Sequence, residues 1–238
     1  MRKLVIIFCA VCLSSSYAQM HSVSVYGSYL TALAKRQGFM KVTGFGGGAS
    51  ARYLVAQNIG VNLSFGYGRY GSIEQDSSLI KWNWKFWNER YGGNVRIDTL
   101  SDTLKAVLNP TQYMEVLPLL LTASYEFQPF EKFFVRPSIG GGILFYTRSL
   151  YMDEEWKKRF ASLNYTFEYD FRNFAPDKKG NPFALVGGLE LSYQVSDPLA
   201  VTAQSHFTSV VKTTGKYGYD DFPMKSSLAV SLGLSFLY

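Results

Sequence analysis

The sequence predicts an all-β protein, an eight-stranded antiparallel up-and-down transmembrane β-barrel, on three observations. Residues 228–238 carry a large apolar side chain at every second position, which is the period of a β-strand with two different faces. Similar alternation recurs about eight times along the 238 residues. After Leu13 no apolar run reaches the roughly 20 residues that a transmembrane helix needs, so only strands could cross a membrane.

The first 18 residues have the organisation of a secretory signal peptide. Two basic residues precede an apolar run that ends at Leu13, and Ser16 and Ala18 form a small-x-small site, which predicts cleavage after Ala18. Both cysteines, Cys9 and Cys12, lie in this leader, so the mature chain 19–238 would contain none. We expect residues 19–238 to form the barrel domain without disulfides.

The first three predicted strands follow one another closely. His21–Leu33 alternates apolar and polar side chains, and about Lys41–Val55 follows after a short basic connection. Asn58 and Gly60 predict a tight turn into Ile59–Ile73, where large apolar residues alternate with small polar ones.

Two further strands flank a short turn at 128–131. About Gln112–Phe127 places apolar residues at every second position, and Pro118 within it predicts a bulge because proline cannot donate to the sheet. About Lys132–Arg148 alternates apolar residues with glycine, serine and arginine. Both segments therefore have two unlike faces.

The last predicted strands are about Pro182–Val195, about Leu199–Lys212 and 228–238, the second being the least regular. Connections along the chain alternate between longer and short. This asymmetry is typical of outer-membrane barrels, which have short periplasmic turns and longer extracellular loops. It predicts that both ends of the barrel domain lie on the periplasmic side.

Composition alone does not decide between a membrane barrel and a soluble one. Hydrophobic residues make up 47%, charged residues 18%, and the mean hydropathy is −0.03. A soluble lipocalin-like carrier would also alternate, with its polar face in water. Here the polar face is poor in lysine and glutamate and rich in glycine, serine and threonine, which favours a narrow lumen.

The charge distribution excludes a nucleic-acid-binding surface. Two of the 24 basic residues lie in the leader, so the formal charge falls from +6 to +4 on cleavage. The remaining basic residues are scattered among acidic ones and form no stripe. We therefore expect no nucleic-acid partner.

Four charged residues share the parity of the polar face, near the short-turn ends of their strands: Arg52, Glu126, Arg136 and Glu190. Charges inside a barrel must pair or face water, because burying one alone is costly. We predict an internal Arg/Glu cluster near the periplasmic end. Its role would be to fill and seal the lumen or, as the alternative, to gate a small pore.

The closing strand places aromatic side chains at Phe236 and Tyr238. It resembles the final strand of bacterial outer-membrane barrels, which the barrel-assembly machinery reads as an assembly signal. The whole mature pattern resembles the small eight-stranded outer-membrane proteins of the OmpA, OmpX and OmpW kind. A cleavage site that leaves Gln19 at the new N-terminus is similar to that of secreted proteins of Bacteroidetes. The resemblance implies the bacterial outer membrane, with its lipid and lipopolysaccharide, as the environment.

Four tryptophans lie in the two long connections 74–111 and 149–181, close to basic residues. Exposed aromatic rings beside cations would suit contact with lipopolysaccharide, a glycan or a protein; packing of the loops against one another is the alternative. Segment 153–159 has opposite charges at the spacing of a short helix. The candidate loop-binding residues are Trp82, Trp84, Trp87 and Trp156.

Catalytic motifs are scarce. The mature chain has two histidines and no HExxH, P-loop or GxSxG motif, and no cofactor or metal site is expected. His206, with Asp220 and Asp221 downstream, resembles the His-x-Ser arrangement of lipid A deacylases, but Thr208 replaces the serine and His206 has lumen-facing parity.

The interpretation favoured by the sequence is a non-enzymatic outer-membrane barrel with surface-exposed binding loops and a structural or interaction role. The alternatives are a narrow channel for small or apolar solutes, a lipid A-modifying enzyme and a soluble carrier.

Overall fold

A computed structural model describes residues 19–35, 42–73, 82, 84–94 and 103–238. The predicted signal peptide, 1–18, lies outside the described residues. The strands are β1 (Gln19–Lys35), β2 (Thr43–Ala56), β3 (Ile59–Ile73), β4 (Leu104–Tyr125), β5 (Phe127–Phe130), β6 (Phe133–Phe160), β7 (Tyr165–Phe174), β8 (Lys178–Gly180), β9 (Phe183–Ser196), β10 (Leu199–Val210) and β11 (Met224–Leu237). The helical segments are a π-helix, α1 (Phe86–Tyr91), and single 3-10 turns at Ala161–Leu163 and Tyr219–Asp221.

Eight of these strands form a closed antiparallel ring in the order β1, β2, β3, β4, β6, β9, β10, β11 and back to β1. The closing pair holds Val25 opposite Leu234. At the end of the chain, the amide of Tyr238 donates to the carbonyl of His21 at 3.0 Å. The predicted eight-stranded up-and-down barrel is confirmed, and closure leaves its ring without an unpaired edge.

The exterior of the ring is apolar and the interior is polar. Because side chains alternate between the two faces of each strand, serine, threonine and arginine point inward and their leucine and phenylalanine neighbours point outward. This distribution is the reverse of a soluble barrel, so the lipocalin-like alternative is wrong. Exposed outward side chains include Val25, Phe45, Leu63, Leu121, Ile139, Leu185, Leu232 and Phe236, and buried inward ones include Ser24, Arg52, Thr122, Arg136, Thr202 and Ser235.

The apolar belt has the height of a membrane. On β4 it runs over 117–125, a length close to the roughly 9–11 residues of a transmembrane strand. Exposed tyrosines stand near its two margins, as at Tyr67 and Tyr125. Among the described residues, no helix is long and apolar enough to cross a membrane.

Two strands are much longer than the sequence predicted. β4 begins at Leu104 and β6 continues to Phe160, and the two stay paired from the Ser124–Ser138 pair to the Leu104–Lys158 pair. A further strand, β7, pairs with the far half of β6. The barrel wall therefore extends beyond the membrane as a three-stranded sheet at the end opposite the termini.

The predicted helix at 153–159 is wrong, because this segment belongs to β6. Its side chains keep the two-residue alternation: Glu154 and Trp156 are buried, whereas Glu155 and Lys157 are not. Hydrogen bonding to β4 on one side and β7 on the other stabilises the extended backbone, which outweighs the weak preference of its charges for a helix.

The predicted bulge at Pro118 is also wrong. The register between β3 and β4 is the same at the Phe65–Leu119 pair as at the Gly68–Val116 pair. The ladder only lapses between these pairs, since proline has no N–H to donate, while β4 remains paired with β6 through Pro118. At Pro118 the strand β4 therefore has a short unpaired stretch on its β3 side and no inserted residue.

Candidate functional site

The four predicted lumen charges form one chain of ion pairs. Nη1 of Arg52 lies 2.7 Å and Nε of Arg136 lies 2.6 Å from the same oxygen, Oε2 of Glu126. Nη1 of Arg136 then donates to Oε1 of Glu190 at 2.5 Å. Gln204, which the sequence analysis did not single out, donates to the other oxygen of Glu190 at 3.0 Å. The cluster carries two positive and two negative charges.

Backbone register explains why these side chains meet. Glu190 on β9 is directly opposite both Arg136 on β6 and Gln204 on β10. Arg52 needs a glycine beside it, since a Cβ on Gly60 would lie 2.6 Å from its Nε. The alternation rule identified the four charges, and Gln204 has the same inward parity, which is the signal that could have found it.

A small polar cavity of about 30 Å³ adjoins this cluster. Nε and Nη2 of Arg52 are buried there without a hydrogen-bond partner among the described residues. A buried water needs a cavity of about 10–15 Å³ by this measure, so this one has room for at least one bridging water.

Hydroxyl groups line the inner wall where β1 pairs with β11. Oγ of Ser24 lies 2.6 Å from Oγ of Ser235, and Oγ of Ser28 lies 2.7 Å from Oγ of Ser231. These paired hydroxyls satisfy one another. Oγ of Ser192 and Oγ1 of Thr202 are buried without a partner among the described residues. The lumen near the ion pairs is therefore lined with closely spaced polar side chains.

The four tryptophans are buried, so the prediction that they form an exposed binding surface is wrong. The largest exposed fraction among Trp82, Trp84, Trp87 and Trp156 is 6%. The first three pack with Leu150, Met152 and Ala175 in an apolar cluster between α1 and the extension of the barrel wall. Their apolar area drives this packing, which is the alternative that the sequence left open.

Trp82 shows how basic residues contribute to this cluster. Its indole N–H donates to the carbonyl of Pro176 at 2.9 Å. The guanidinium carbon of Arg148 lies 4.6 Å and the ammonium of Lys178 lies 5.3 Å from its ring centroid. These two cations therefore stack on the ring inside the protein and do not face a ligand.

A buried carboxylate, Glu154, connects α1 to the extended sheet. Its side chain is 1% exposed and accepts hydrogen bonds from the Tyr91 hydroxyl at 2.7 Å, the Trp156 indole at 2.9 Å and the Asn173 amide at 2.6 Å. Burial first, and then the bond to this carboxylate, raise the pKa of Tyr91 above its usual value. No pattern in the sequence pointed to Glu154 as a buried group.

The outermost strand, β7, is exposed on nearly its whole length. Among the residues that the structure describes, it pairs only with β6. One face carries Tyr165, Phe167, Tyr169 and Phe171. Neighbouring ring centroids lie 5.4 Å apart for Phe167 and Tyr169, and 6.3 Å apart for Tyr169 and Phe171. The strict alternation of residues 165–172 is the sequence signal that could have found this row.

The residues of the possible lipid A site lie in different places. His206 is on the lumen wall, whereas Asp220 and Asp221 belong to the 3-10 turn at the extracellular end. Nζ of Lys178 donates to Asp221 at 2.5 Å. The histidine does not face lipid. Within the described ranges, no group of three or more His, Cys, Asp or Glu side chains could hold a metal ion.

A closed eight-stranded ring with an apolar belt outside and ion pairs and hydroxyls inside defines the class of this protein: it is a small transmembrane β-barrel of the bacterial outer membrane. Phe236 and Tyr238 lie at the exposed end of its closing strand, and their recognition by the assembly machinery stays a prediction.

Neither a protein-family model nor a curated protein matches the sequence. Solved structures align over most of the chain. Neisserial surface protein A is 13% identical, with 93% of this chain and 99% of that chain covered and a TM-score of 0.47. A major outer membrane protein from Thermus thermophilus is 13% identical (90% and 99% covered, TM-score 0.43), and OprG from Pseudomonas aeruginosa is 12% identical (92% and 97%, TM-score 0.42).

Proposed function

We propose that this protein is a sealed outer-membrane barrel that binds an extended polypeptide segment at the cell surface, along the edge of β7. The observation that supports this function is the exposed edge strand with its row of aromatic side chains. The packed lumen favours such an interaction role over conduction. The ligand would add as a strand next to β7, with its backbone hydrogen-bonded to the edge.

The edge of β7 has little of the usual protection against pairing. Natural edge strands are commonly kept apart by lysine, proline or bulges, because an unpaired row of N–H and C=O groups pairs readily with another chain. The strand Tyr165–Phe174 contains neither lysine nor proline, and its register with β6 is regular from end to end. Its charged side chains, Glu168, Asp170 and Arg172, all lie on one face and leave the aromatic face uncharged. A weakly protected edge at a surface therefore supports a partner strand.

The aromatic face supplies side-chain contacts for such a strand. Phe167 and Tyr169 are 45% and 37% exposed, and Tyr169 stacks on the buried Trp156 at a centroid distance of 6.1 Å with planes 3° apart. Rings held in place by packing lose little conformational freedom on binding. Alternate apolar side chains of an added strand would lie over this row.

The test uses the folded protein in nanodiscs and a fluorescent ten-residue peptide of alternating valine and threonine, followed by fluorescence anisotropy. We expect saturable binding, weakened at least tenfold in the triple variant Phe167→Ser, Tyr169→Ser, Phe171→Ser. The matched control is Glu168→Gln with Asp170→Asn on the opposite face, which should bind as the unmodified protein does.

A second peptide separates strand addition from simple apolar contact. It has the same sequence with alternate backbone amides methylated, so it cannot donate along one edge. We expect its affinity to fall at least tenfold. Equal binding of the methylated peptide, or unchanged binding by the triple variant, would overturn the proposal. A gel-mobility shift on boiling verifies that every variant is folded.

A further inference from the structure

The lumen contains a second cavity, larger than the polar one and different in lining. Its volume is about 100 Å³, and it lies on the extracellular side of the ion-pair cluster. Apolar side chains form most of its wall. Among the described residues that line it, none is Lys, Arg, Asp or Glu. The wall and cover include Leu30, Tyr70, Val116, Leu144, Phe222 and Met224.

The cavity is covered at its extracellular end by the segment 213–223, which we call the cover. Phe222, 1% exposed, inserts its ring against Tyr146, with the two centroids 5.1 Å apart. The Tyr146 hydroxyl donates to the carbonyl of Gly218 at 2.6 Å. Gly218 has a positive φ of 69° and is so close to Gly180 that a Cβ would lie 2.7 Å from its Cα. The cover is therefore docked closely on β8.

Polar side chains interrupt the largely apolar wall at several places, among them Tyr26, Thr208 and His206. His206 lines both the upper and the polar cavity and thus marks their boundary. Its imidazole makes no hydrogen bond with the part of the chain that the structure describes. Ser28 and Ser231, also in the wall, are already bonded to each other. His206 is consequently a polar group with unused hydrogen-bonding capacity at the boundary.

His206 is half-buried, and a ligand hydroxyl that bonds to its imidazole adds a hydrogen bond that the protein itself does not supply. Water needs several polar partners, and most of the wall of this cavity offers none. An apolar cavity of about 150 Å³ holds benzene. At about 100 Å³, this cavity admits one small ring when the flexible ends of Leu30 and Met224 shift.

We propose that the upper cavity is a binding site for a small neutral molecule of about one ring that carries a single hydroxyl group, a phenol in chemical class. The hydroxyl bonds to His206, and the ring lies among Leu30, Val116 and Leu144 beneath Phe222. A charged ligand is disfavoured, since the cavity offers it no opposite charge. The ion pairs close the periplasmic side, so the molecule enters and leaves past the cover.

The test uses the full mature chain in nanodiscs and fluorine NMR of 4-fluorophenol, 4-fluorotoluene and 4-fluorobenzoate. We expect saturable binding of the phenol and at least tenfold weaker binding of the benzoate. The variant Ala229→Leu adds volume inside the cavity and should weaken phenol binding at least tenfold. Its matched control, Ala123→Leu, adds the same volume on the lipid face of β4 and should leave binding unchanged.

A third variant tests the hydroxyl contact. His206→Leu should weaken binding of 4-fluorophenol at least tenfold while 4-fluorotoluene binds as before. Equal phenol binding by the unmodified protein and Ala229→Leu would show partition into lipid only and overturn the site. Equal binding of benzoate and phenol would overturn the neutral class. Thermal unfolding of the unmodified protein offers a check without mutation: phenol should raise the transition temperature and benzoate should not.

Discussion

Arg136 on β6 lies directly opposite Glu190 on the neighbouring strand β9, and a 2.5 Å ion pair joins the two side chains on the inner wall. This contact continues through Glu126, which also binds Arg52, so three strands and the end of a fourth are linked near the periplasmic turns. Both arginines are at least 95% buried. Burying each guanidinium group would therefore destabilise the barrel if no carboxylate were paired with it.

Glu126→Gln is expected to destabilise the folded barrel by about 3–5 kcal/mol, because it leaves two buried guanidinium groups facing a neutral amide. Urea unfolding in detergent measures the change. Glu168→Gln, which breaks the exposed pair with Lys157, is the control and should have little effect. A Glu126→Gln loss no larger than that of the control would contradict a stabilising role for the cluster.

The barrel is expected to show no stepwise conductance in planar bilayers, since ion pairs and paired hydroxyls occupy the lumen. Glu190→Ala should leave the conductance at the baseline, because Arg52, Glu126 and Arg136 still fill the cross-section. Discrete conductance steps that appear only in Glu190→Ala would favour the gate over the seal. Insertion is verified by the mobility shift on boiling.

Gly60→Ala is expected to destabilise the barrel by about 1–3 kcal/mol, because the added methyl would meet Nε of Arg52 at 2.6 Å while the ion pair holds that side chain in place. Gly187→Ala is the matched control on β9, since nothing lies within 4 Å of its added methyl. Equal midpoints of urea unfolding for the two variants would mean that Arg52 moves aside without cost.

Strand alternation was sufficient to predict the ring, its two faces and the inward parity of the four charges, because a closed barrel repeats one rule on every strand. It failed at 153–159, where pairing with β7 decides the conformation and the charges alone indicated a helix. It also failed for the tryptophans, since burial of Trp82 depends on Arg148 and Pro176, which are distant in the sequence. Such contacts have no local signature.

The Tyr91–Glu154 hydrogen bond predicts an alkaline loss of stability at the extracellular end. The pKa of Tyr91 is raised in the folded protein, so the folded state holds the phenolic proton more tightly than the unfolded chain does. Its contribution is complete below the unfolded pKa of about 10 and decreases as the pH rises above that value. Hydrogen exchange of the amides in α1 and β7, followed as the pH is raised, measures this local stability.

Tyr91→Phe should weaken the protection of these amides at neutral pH and remove its alkaline decrease. Tyr165→Phe, on exposed β7, should leave both the protection and its pH dependence unchanged. An alkaline decrease that persists unaltered in Tyr91→Phe would mean that another group holds α1 against the sheet.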